Sequence, residues 1–140
     1  MVEILKNDPS DFEGLKEWEY KEHFYTLKTE YGDMNIHYID EGSSSENTVL
    51  LLHGEPDWGY IYRKFIDPLV AAGARVVVPD LPGFGKSDKL SERSSYTYEE
   101  YVNWMETWMK DLKLNNITLF GQDWGGLIGL RLVAENEDMF

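Results

Sequence analysis

The stretch ITLFGQDWGG, residues 117–126, decides the fold class of this chain. A nearly continuous apolar run, Ile117-Thr118-Leu119-Phe120, leads into the turn residues Gly121-Gln122-Asp123, and an apolar helical pattern follows from Trp124 to about Glu135. A strand that turns at once into a helix needs glycines beside its central residue, because neighbouring backbone approaches closely there. We therefore predict that Asp123 stands on a sharp, strained turn between a strand and a helix.

Two more apolar runs, residues 48–52 and 74–78, are short and nearly continuous. With residues 117–120 they are typical of parallel strands that are covered on both faces. A helical pattern over residues 62–72 lies between the first two and ends before Gly73, a common residue after a helix. Strands that alternate with helices predict an α/β fold with a mostly parallel sheet and right-handed crossovers.

A second helix is predicted over residues 97–113. It begins with Thr97-x-x-Glu100, the pattern of a capping box, in which the hydroxyl and the carboxylate each bind an amide at the helix end. Its apolar residues form one stripe, which indicates a helix that faces the core. They are Tyr101, Trp104, Met105, Trp108, Met109 and Leu112.

The amino-terminal third of the chain has a different residue pattern from the rest. Aromatic and β-favouring residues recur over 22–29 and again over 34–40, with Gly32-Asp33 between them. This pattern predicts an antiparallel hairpin that turns at Gly32-Asp33, ahead of the parallel strands. The run Ser43-Ser44-Ser45 indicates a tight surface turn.

Composition limits the function classes. The chain has 140 residues, 42% of them hydrophobic, which suffices for one globular domain and argues against disorder. A net charge of −13 repels nucleic acids and anionic membranes, and the absence of cysteine excludes disulfides and thiolate metal sites. Because neither a leader pattern nor a membrane-length apolar run is present, we expect a soluble cytoplasmic protein.

The turn at Asp123 has the G-x-nucleophile-x-G spacing of a nucleophile elbow, with Asp where ester hydrolases carry Ser. Such a turn lifts the carboxylate above the carboxyl ends of the strands, where α/β sheets bind ligands. The following helix N-terminus favours the ionised carboxylate. Alternatively, Asp123 only caps that helix.

The loop His53-Gly54-Glu55-Pro56 follows the strand at residues 48–52. In an elbow fold this loop supplies one oxyanion-hole amide, and the residue after the nucleophile supplies the other. The two amides here are those of Glu55 and Trp124. We expect His53 to shape the loop rather than to transfer protons.

The run GFGKS, residues 83–87, superficially resembles a phosphate-binding loop. The full pattern needs a glycine where Asp80 stands and a helix directly afterwards, whereas residues 91–95 have the composition of a loop. We therefore interpret this run as a turn.

Three motifs together resemble the haloalkane dehalogenases of the α/β-hydrolase superfamily: residues 53–56, the run DLPGFGKSD at 80–88, and QDWGG at 122–126. The resemblance extends from about Glu22 to the end of the chain. Epoxide hydrolases share the DWGG run, but they usually have His at the position of Gln122 and an apolar residue at that of Glu55.

The resemblance implies that Asp123 attacks the halogen-bearing carbon and forms an alkyl ester, without a metal or a cofactor. Trp124 would bind the departing halide through its indole N–H, and Glu55 would hydrogen bond near the hydrolytic water. The alternatives are a packed aromatic for Trp124 and an exposed loop carboxylate for Glu55. The partners implied are a small haloalkane and halide, and we expect the complete protein to be monomeric.

The family also needs a catalytic acid and a histidine base after the elbow. Seventeen residues follow Asp123 and none is a histidine, whereas His23, His37 and His53 all precede it. We therefore expect residues 1–140 to be the amino-terminal portion of the main domain, with the cap, acid and base outside this chain. An epoxide hydrolase and a noncatalytic binding module are the alternative hypotheses.

Overall fold

The computed structural model describes residues 1–43 and 46–140. Ser44 and Ser45, two residues of the predicted surface turn, lie outside the described residues. The elements in chain order are β1 (Ile4–Leu5), β2 (His23–Thr29), β3 (Gly32–Glu41), β4 (Thr48–Leu52), α1 (Arg63–Ala71), β5 (Arg75–Pro79), β6 (Lys89–Leu90), α2 (Tyr98–Asp111), β7 (Ile117–Gly121) and α3 (Trp124–Glu135).

Five strands form one mixed sheet in the order β2-β3-β5-β4-β7. β4 pairs in parallel with both β5 and β7, while β3 pairs antiparallel with β2 and β5. The predicted α/β fold with an initial antiparallel hairpin is therefore confirmed. β1 and β6 form a separate two-stranded antiparallel ribbon, which the sequence pattern did not reveal because each strand has only two residues.

The hairpin turns at Glu30-Tyr31, so the predicted turn at Gly32-Asp33 is wrong by two residues. Gly32 is already the first residue of β3 and pairs with Thr29. The Thr29 hydroxyl closes the turn, because it donates to the Gly32 carbonyl (2.7 Å) and accepts from the Tyr31 amide (3.1 Å). Gly32 has a φ of 120°, a conformation that glycine adopts at no steric cost.

The helices lie close to their predicted positions. α1 begins at Arg63 rather than at residue 62, because a short 3₁₀ turn over Gly59–Tyr62 precedes it. α2 shows one half of the predicted capping box, in which the Glu100 amide donates to the Thr97 hydroxyl (3.1 Å). β5 runs over Arg75–Pro79, one residue later than the apolar run predicts.

The sheet separates two apolar cores, because successive residues of its central strands point to opposite faces. Leu50 and Leu52 of β4 pack with residues of α2 and α3, whereas Leu51 packs with Ile66 of α1. The amino-terminal segment contributes Trp18 to the core beside α1. The carboxyl ends of β4 and β7 meet between these layers, and that position places the candidate site.

β7 lies at one edge of the sheet, and Ile117 is its one buried residue. The prediction of a fully covered third strand is therefore wrong for this strand, and 47% of the Phe120 surface is exposed. Five of the six residues in the predicted stripe of α2 are buried, and Leu112, the residue after the helix, is half-buried. The exposed apolar surface of this region comes instead from β7 and from Leu127 and Leu130 of α3.

Candidate functional site

Asp123 occupies a strained backbone conformation between β7 and α3, with φ 56° and ψ −125°. Close backbone contacts explain the glycines around it. A Cβ added to Gly125 would lie 2.2 Å from the Leu52 carbonyl oxygen, and one added to Gly54 would lie 2.4 Å from the Asp123 Cβ. The chain therefore makes the sharp turn that the glycine spacing predicts, and it presents an exposed carboxylate.

Two backbone amides hold this carboxylate. The Glu55 amide donates to Asp123 Oδ2 at 3.1 Å, and the Trp124 amide also hydrogen bonds to the carboxylate. The Trp124 amide first and the Glu55 amide second lower the pKa of Asp123 from its ordinary 3.8, so the carboxylate is ionised at neutral pH. Beyond the Trp124 amide, the described contacts include no side-chain capping bond from Asp123 to α3, and the Glu55 amide belongs to a different loop, which speaks against the simple helix-cap alternative.

His53 orients one of those amides. Its Nδ1 bonds to the Gly54 carbonyl at 2.9 Å, and its Nε2 accepts from the Leu81 amide at 2.9 Å. The Leu81 donor requires an unprotonated Nε2, so Nδ1 carries the proton. The Gly54 carbonyl and the Glu55 N–H belong to one peptide plane, and His53 therefore fixes the direction of the amide that points at Asp123.

The imidazole of His53 is fully buried, and burial lowers its pKa below the ordinary 6.5. The neutral ring is the form that can accept from Leu81 while donating to Gly54. Its position under the loop agrees with the structural role expected from the sequence.

The run at residues 83–87 folds around the buried carboxylate of Asp80. That carboxylate accepts from the Gly59 amide (2.8 Å) and the Lys86 amide (2.9 Å), and it faces His37 Nδ1 at 3.0 Å. The Lys86 amide is thus engaged internally, and α2 begins only at Tyr98, so this turn is not a phosphate-binding loop. Sequence reasoning missed the organising role of Asp80, although a carboxylate directly after a buried strand was a signal.

The other two histidines lie away from Asp123. His37 is completely buried against Asp80, and His23 stacks on Tyr38 with ring centroids 5.1 Å apart. Their position in the hairpin agrees with the structural roles expected for them.

A groove of about 560 Å³ opens beside the turn at Asp123. Glu55 and Trp124 lie in its wall, and Trp124 is 39% exposed. Much of the remaining wall is aromatic, namely Phe84, Tyr96, Tyr98 and Tyr101. These tyrosines were not recognised from the sequence, where Tyr101 was assigned only to the core stripe.

The tyrosine hydroxyls are occupied by backbone carbonyls. Tyr98 donates to the Leu127 carbonyl at 3.0 Å and Tyr101 to the Pro82 carbonyl at 2.8 Å. Their rings therefore give the groove an apolar wall, which suits a ligand with few polar groups.

Comparison with known proteins identifies the fold family. Residues 47–139 match the family described as alpha/beta hydrolase fold. The chain belongs to this family. It is 54% identical over 140 residues to a haloalkane dehalogenase from Psychrobacter cryohalolentis, covering 99% of the chain and 46% of that protein. It is 43% identical over 138 residues to a haloalkane dehalogenase from Mycobacterium marinum, with 98% and 46% covered.

Solved structures of haloalkane dehalogenases and epoxide hydrolases are also similar to this chain. The tetrameric haloalkane dehalogenase from Paraglaciecola agarilytica superposes with a TM-score of 0.92 at 40% identity, covering 99% of this chain and 46% of that one. An epoxide hydrolase from Vigna radiata superposes with a TM-score of 0.72 at 28% identity, covering 85% and 37%. The chain thus spans about half the length of the haloalkane dehalogenases that it matches. No helix in the described part of the chain is long and apolar enough to cross a membrane.

Proposed function

We propose that the complete protein containing this chain is a haloalkane dehalogenase, which converts a haloalkane and water into an alcohol, a halide ion and a proton. One observation carries the proposal. An ionised, exposed carboxylate at Asp123 is held by two amides next to an apolar groove. The similarity to haloalkane dehalogenases over nearly the whole chain supports the same activity.

In the proposed first step, Asp123 displaces the halide. Oδ2 is engaged by the Glu55 amide, so Oδ1 is the oxygen that attacks the carbon. An oxygen lone pair forms the new C–O bond, and the carbon–halogen bonding pair leaves with the halide. A carboxylate suits this step because it is anionic at neutral pH and needs no general base.

Water then hydrolyses the alkyl ester at the Asp123 carboxyl carbon. Negative charge develops on Oδ2, the oxygen that already accepts from the Glu55 amide, and the Trp124 amide lies beside the same carboxylate. Donors placed before the charge develops stabilise the transition state strongly, because they need no reorganisation. Collapse of this intermediate breaks the bond between the carboxyl carbon and Oδ1. One water proton goes to Oδ1, which leaves as the alcohol oxygen, the other is released, and the water oxygen remains in the regenerated carboxylate.

Trp124 is the proposed halide ligand. Its indole N–H is a donor that does not ionise, and the side chain is exposed in the groove wall next to the nucleophile. The Glu55 carboxylate lies in the same wall and is proposed to hydrogen bond near the hydrolytic water.

We also propose that residues 1–140 are the amino-terminal portion of the hydrolase domain. The cap, the acid, the histidine base and a second halide donor would then lie in the part of the protein that corresponds to the rest of the relatives. The complete protein is proposed to be a cytoplasmic monomer that acts on small haloalkanes.

Intact-mass analysis of this chain after incubation with 1-bromohexane tests the nucleophile. We expect one hexyl adduct that maps to Asp123 and is lost in Asp123→Asn. The exposed carboxylate of Asp138 offers a matched control, because Asp138→Asn should keep the adduct. A folded sample without an adduct, or an adduct at another residue, would refute the proposed role of Asp123.

The epoxide hydrolase hypothesis rests on the structural similarity to the Vigna radiata enzyme. Glu55 and Gln122 favour the dehalogenase, since epoxide hydrolases usually carry an apolar residue and a histidine at these positions. Assays of the complete protein with 1-bromohexane and with 1,2-epoxyhexane separate the two. Turnover of the epoxide alone would replace the dehalogenase proposal, and turnover of neither would favour a noncatalytic binding module.

A further inference from the structure

One backbone carbonyl, that of Leu52, supports two segments of the candidate site. We call them its arms: the loop that carries the Glu55 amide and the turn that carries Asp123. Leu52 is the last residue of β4, and the loop that carries the Glu55 amide starts directly after it. Across the sheet, Leu52 is in register with Gly121, from which the chain turns into Asp123. The two arms therefore both begin directly after one residue pair of the parallel sheet, Leu52 and Gly121.

The Leu52 carbonyl oxygen accepts two hydrogen bonds. The Gln122 amide donates to it at 3.1 Å, which is the last bond between β4 and the elbow. The Tyr62 hydroxyl donates to the same oxygen at 2.7 Å, from a buried position. α3 packs against this oxygen so closely that a Cβ at Gly125 would lie 2.2 Å from it. Movement of this carbonyl would therefore shift the first turn of α3 as well.

Tyr62 also contacts the elbow arm through its ring. The ring packs edge-on against Phe120 of β7, with centroids 5.9 Å apart, and against Phe65 of α1 at 5.3 Å. Phe120 precedes Asp123 by three residues. Burial raises the pKa of Tyr62 to about 12, so the hydroxyl remains a hydrogen-bond donor throughout the neutral range.

We propose that Tyr62 is a positioning residue of the active site, whose hydroxyl fixes the Leu52 carbonyl and thereby the distance between the Glu55 amide and the Asp123 carboxylate. The inference rests on the proposed function, because the consequence of correct positioning is fast alkylation of Asp123. Tyr62 itself has no contact with Asp123 among the described residues. It acts through β4 and through the first residues of both arms.

The test compares the rate of Asp123 alkylation by 1-bromohexane in the wild type and in Tyr62→Phe, which keeps the ring and removes the hydroxyl. Small displacements of reacting groups lower rates strongly, so we expect the alkylation rate at saturating substrate to fall about five- to tenfold. The substrate concentration at half-maximal rate should change less than about twofold, because the groove wall is untouched. A hydroxyl that served stability alone would not lower the maximal alkylation rate while leaving the half-saturating substrate concentration unchanged.

Two variants serve as controls. Tyr60→Phe removes a hydroxyl that donates to the Lys16 carbonyl at 2.9 Å, far from the elbow in the chain. Phe65→Leu loosens the aromatic packing around Tyr62 and leaves its hydroxyl bond in place. Both should keep the alkylation rate within about twofold of the wild type, since neither removes a donor from Leu52. Circular dichroism and thermal unfolding establish that each variant is folded at the assay temperature.

A Tyr62→Phe rate within twofold of the wild type would overturn the positioning role. An equal loss of rate in Phe65→Leu would also overturn it, because packing and not the hydroxyl would then be responsible. If Tyr62→Phe does not fold at any temperature, the hydroxyl is needed for stability, and the positioning role is overturned. Absence of an adduct in the wild type would instead refute the proposed function.

Discussion

Asp123 combines a strained backbone with a well-bonded side chain. A non-glycine residue with φ 56° and ψ −125° costs on the order of 1–3 kcal/mol. The glycines at 54 and 125 allow the surrounding backbone to approach closely enough to hold this conformation. The strain directs the carboxylate outward, and the Glu55 amide then engages Oδ2. One local conformation therefore supplies exposure, ionisation and orientation together.

The pH dependence of alkylation follows from the amides at Asp123. They lower the pKa of this carboxyl below 3.8, so the reactive ionised form is fully populated at all higher pH values of practical interest. We expect an alkylation rate that is constant from about pH 5 to about pH 8. The rate should fall only as acid protonates the carboxylate. A rate that rises with a midpoint near neutrality would show that another group must lose a proton first.

Trp124 permits a direct test of halide binding in the complete protein. Bromide should quench tryptophan fluorescence saturably, and Trp124→Phe should weaken binding because the indole donor is lost. A hydrogen bond to a charged group contributes about 1.5–3 kcal/mol, which corresponds to about a ten- to hundredfold loss of affinity. Trp58→Phe, in the loop packed against Trp18, should leave the affinity unchanged. An unaltered titration in Trp124→Phe would make this side chain a packing residue.

His53 is expected to make stability depend on pH. Burial lowers its pKa in the folded protein, whereas the unfolded chain binds a proton with a pKa near 6.5. Below that pH the unfolded state takes up a proton that the folded state does not, so the free energy of unfolding decreases as the pH falls. Urea denaturation at pH 7.5 and 5.5 should show a larger loss in the free energy of unfolding for the wild type than for His53→Gln. Equal losses in the wild type and in His53→Gln would contradict the prediction.

At the scale of the elements, the start of α2 contains both a residue that stabilises the helix and residues that line the groove. Thr97 caps this helix, and Tyr98 and Tyr101 of its first turns contribute to the aromatic wall. Thr97→Ala should lower the free energy of unfolding by about 1 kcal/mol, because the Glu100 amide loses its acceptor. Thr107→Ala, on an exposed position of the same helix, should be nearly neutral. Chemical denaturation compares the two, and similar losses would argue against capping.

The elements also show what the sequence can and cannot predict. β4, β5, β7 and α3 were placed within about a residue, because each has a strong local pattern that burial reinforces. The hairpin turn was misplaced because the Thr29 hydroxyl, and not a glycine-aspartate pair, closes it. The β1–β6 ribbon joins residues more than eighty positions apart, so no local pattern indicates it.

At the scale of the whole molecule, the parts of the site predicted from sequence are those tied to backbone geometry. Glycine spacing located Asp123, and the order of strand and loop located the Glu55 amide. Asp80 and Tyr62 were missed because their roles arise from long-range contacts with Gly59 and Leu52. Such contacts exist only once the sheet order brings separate loops together.

The edges of the sheet predict how the 140-residue chain behaves alone. β7 is an edge strand, and exposed Phe120 together with Leu127 and Leu130 adds apolar surface beside it. Such an edge can pair with another copy, whereas a net charge of −13 opposes association. Salt screens this repulsion within about 10 Å at 0.1 M but leaves short-range strand pairing intact. Light scattering should therefore show self-association that increases from low to moderate salt.

Phe120 and Phe24 make this prediction specific to one edge, because each is exposed on one of the two edge strands. Phe120→Lys should abolish the salt-dependent association, since it places a charge on the β7 edge. Phe24→Lys changes the net charge equally but lies on β2, so it should still associate. If both variants remain monomeric although their repulsion is weaker, the β7 edge alone does not control association. If the wild type is a monomer at every salt concentration, its edge is protected, and β7 cannot serve as a template for pairing.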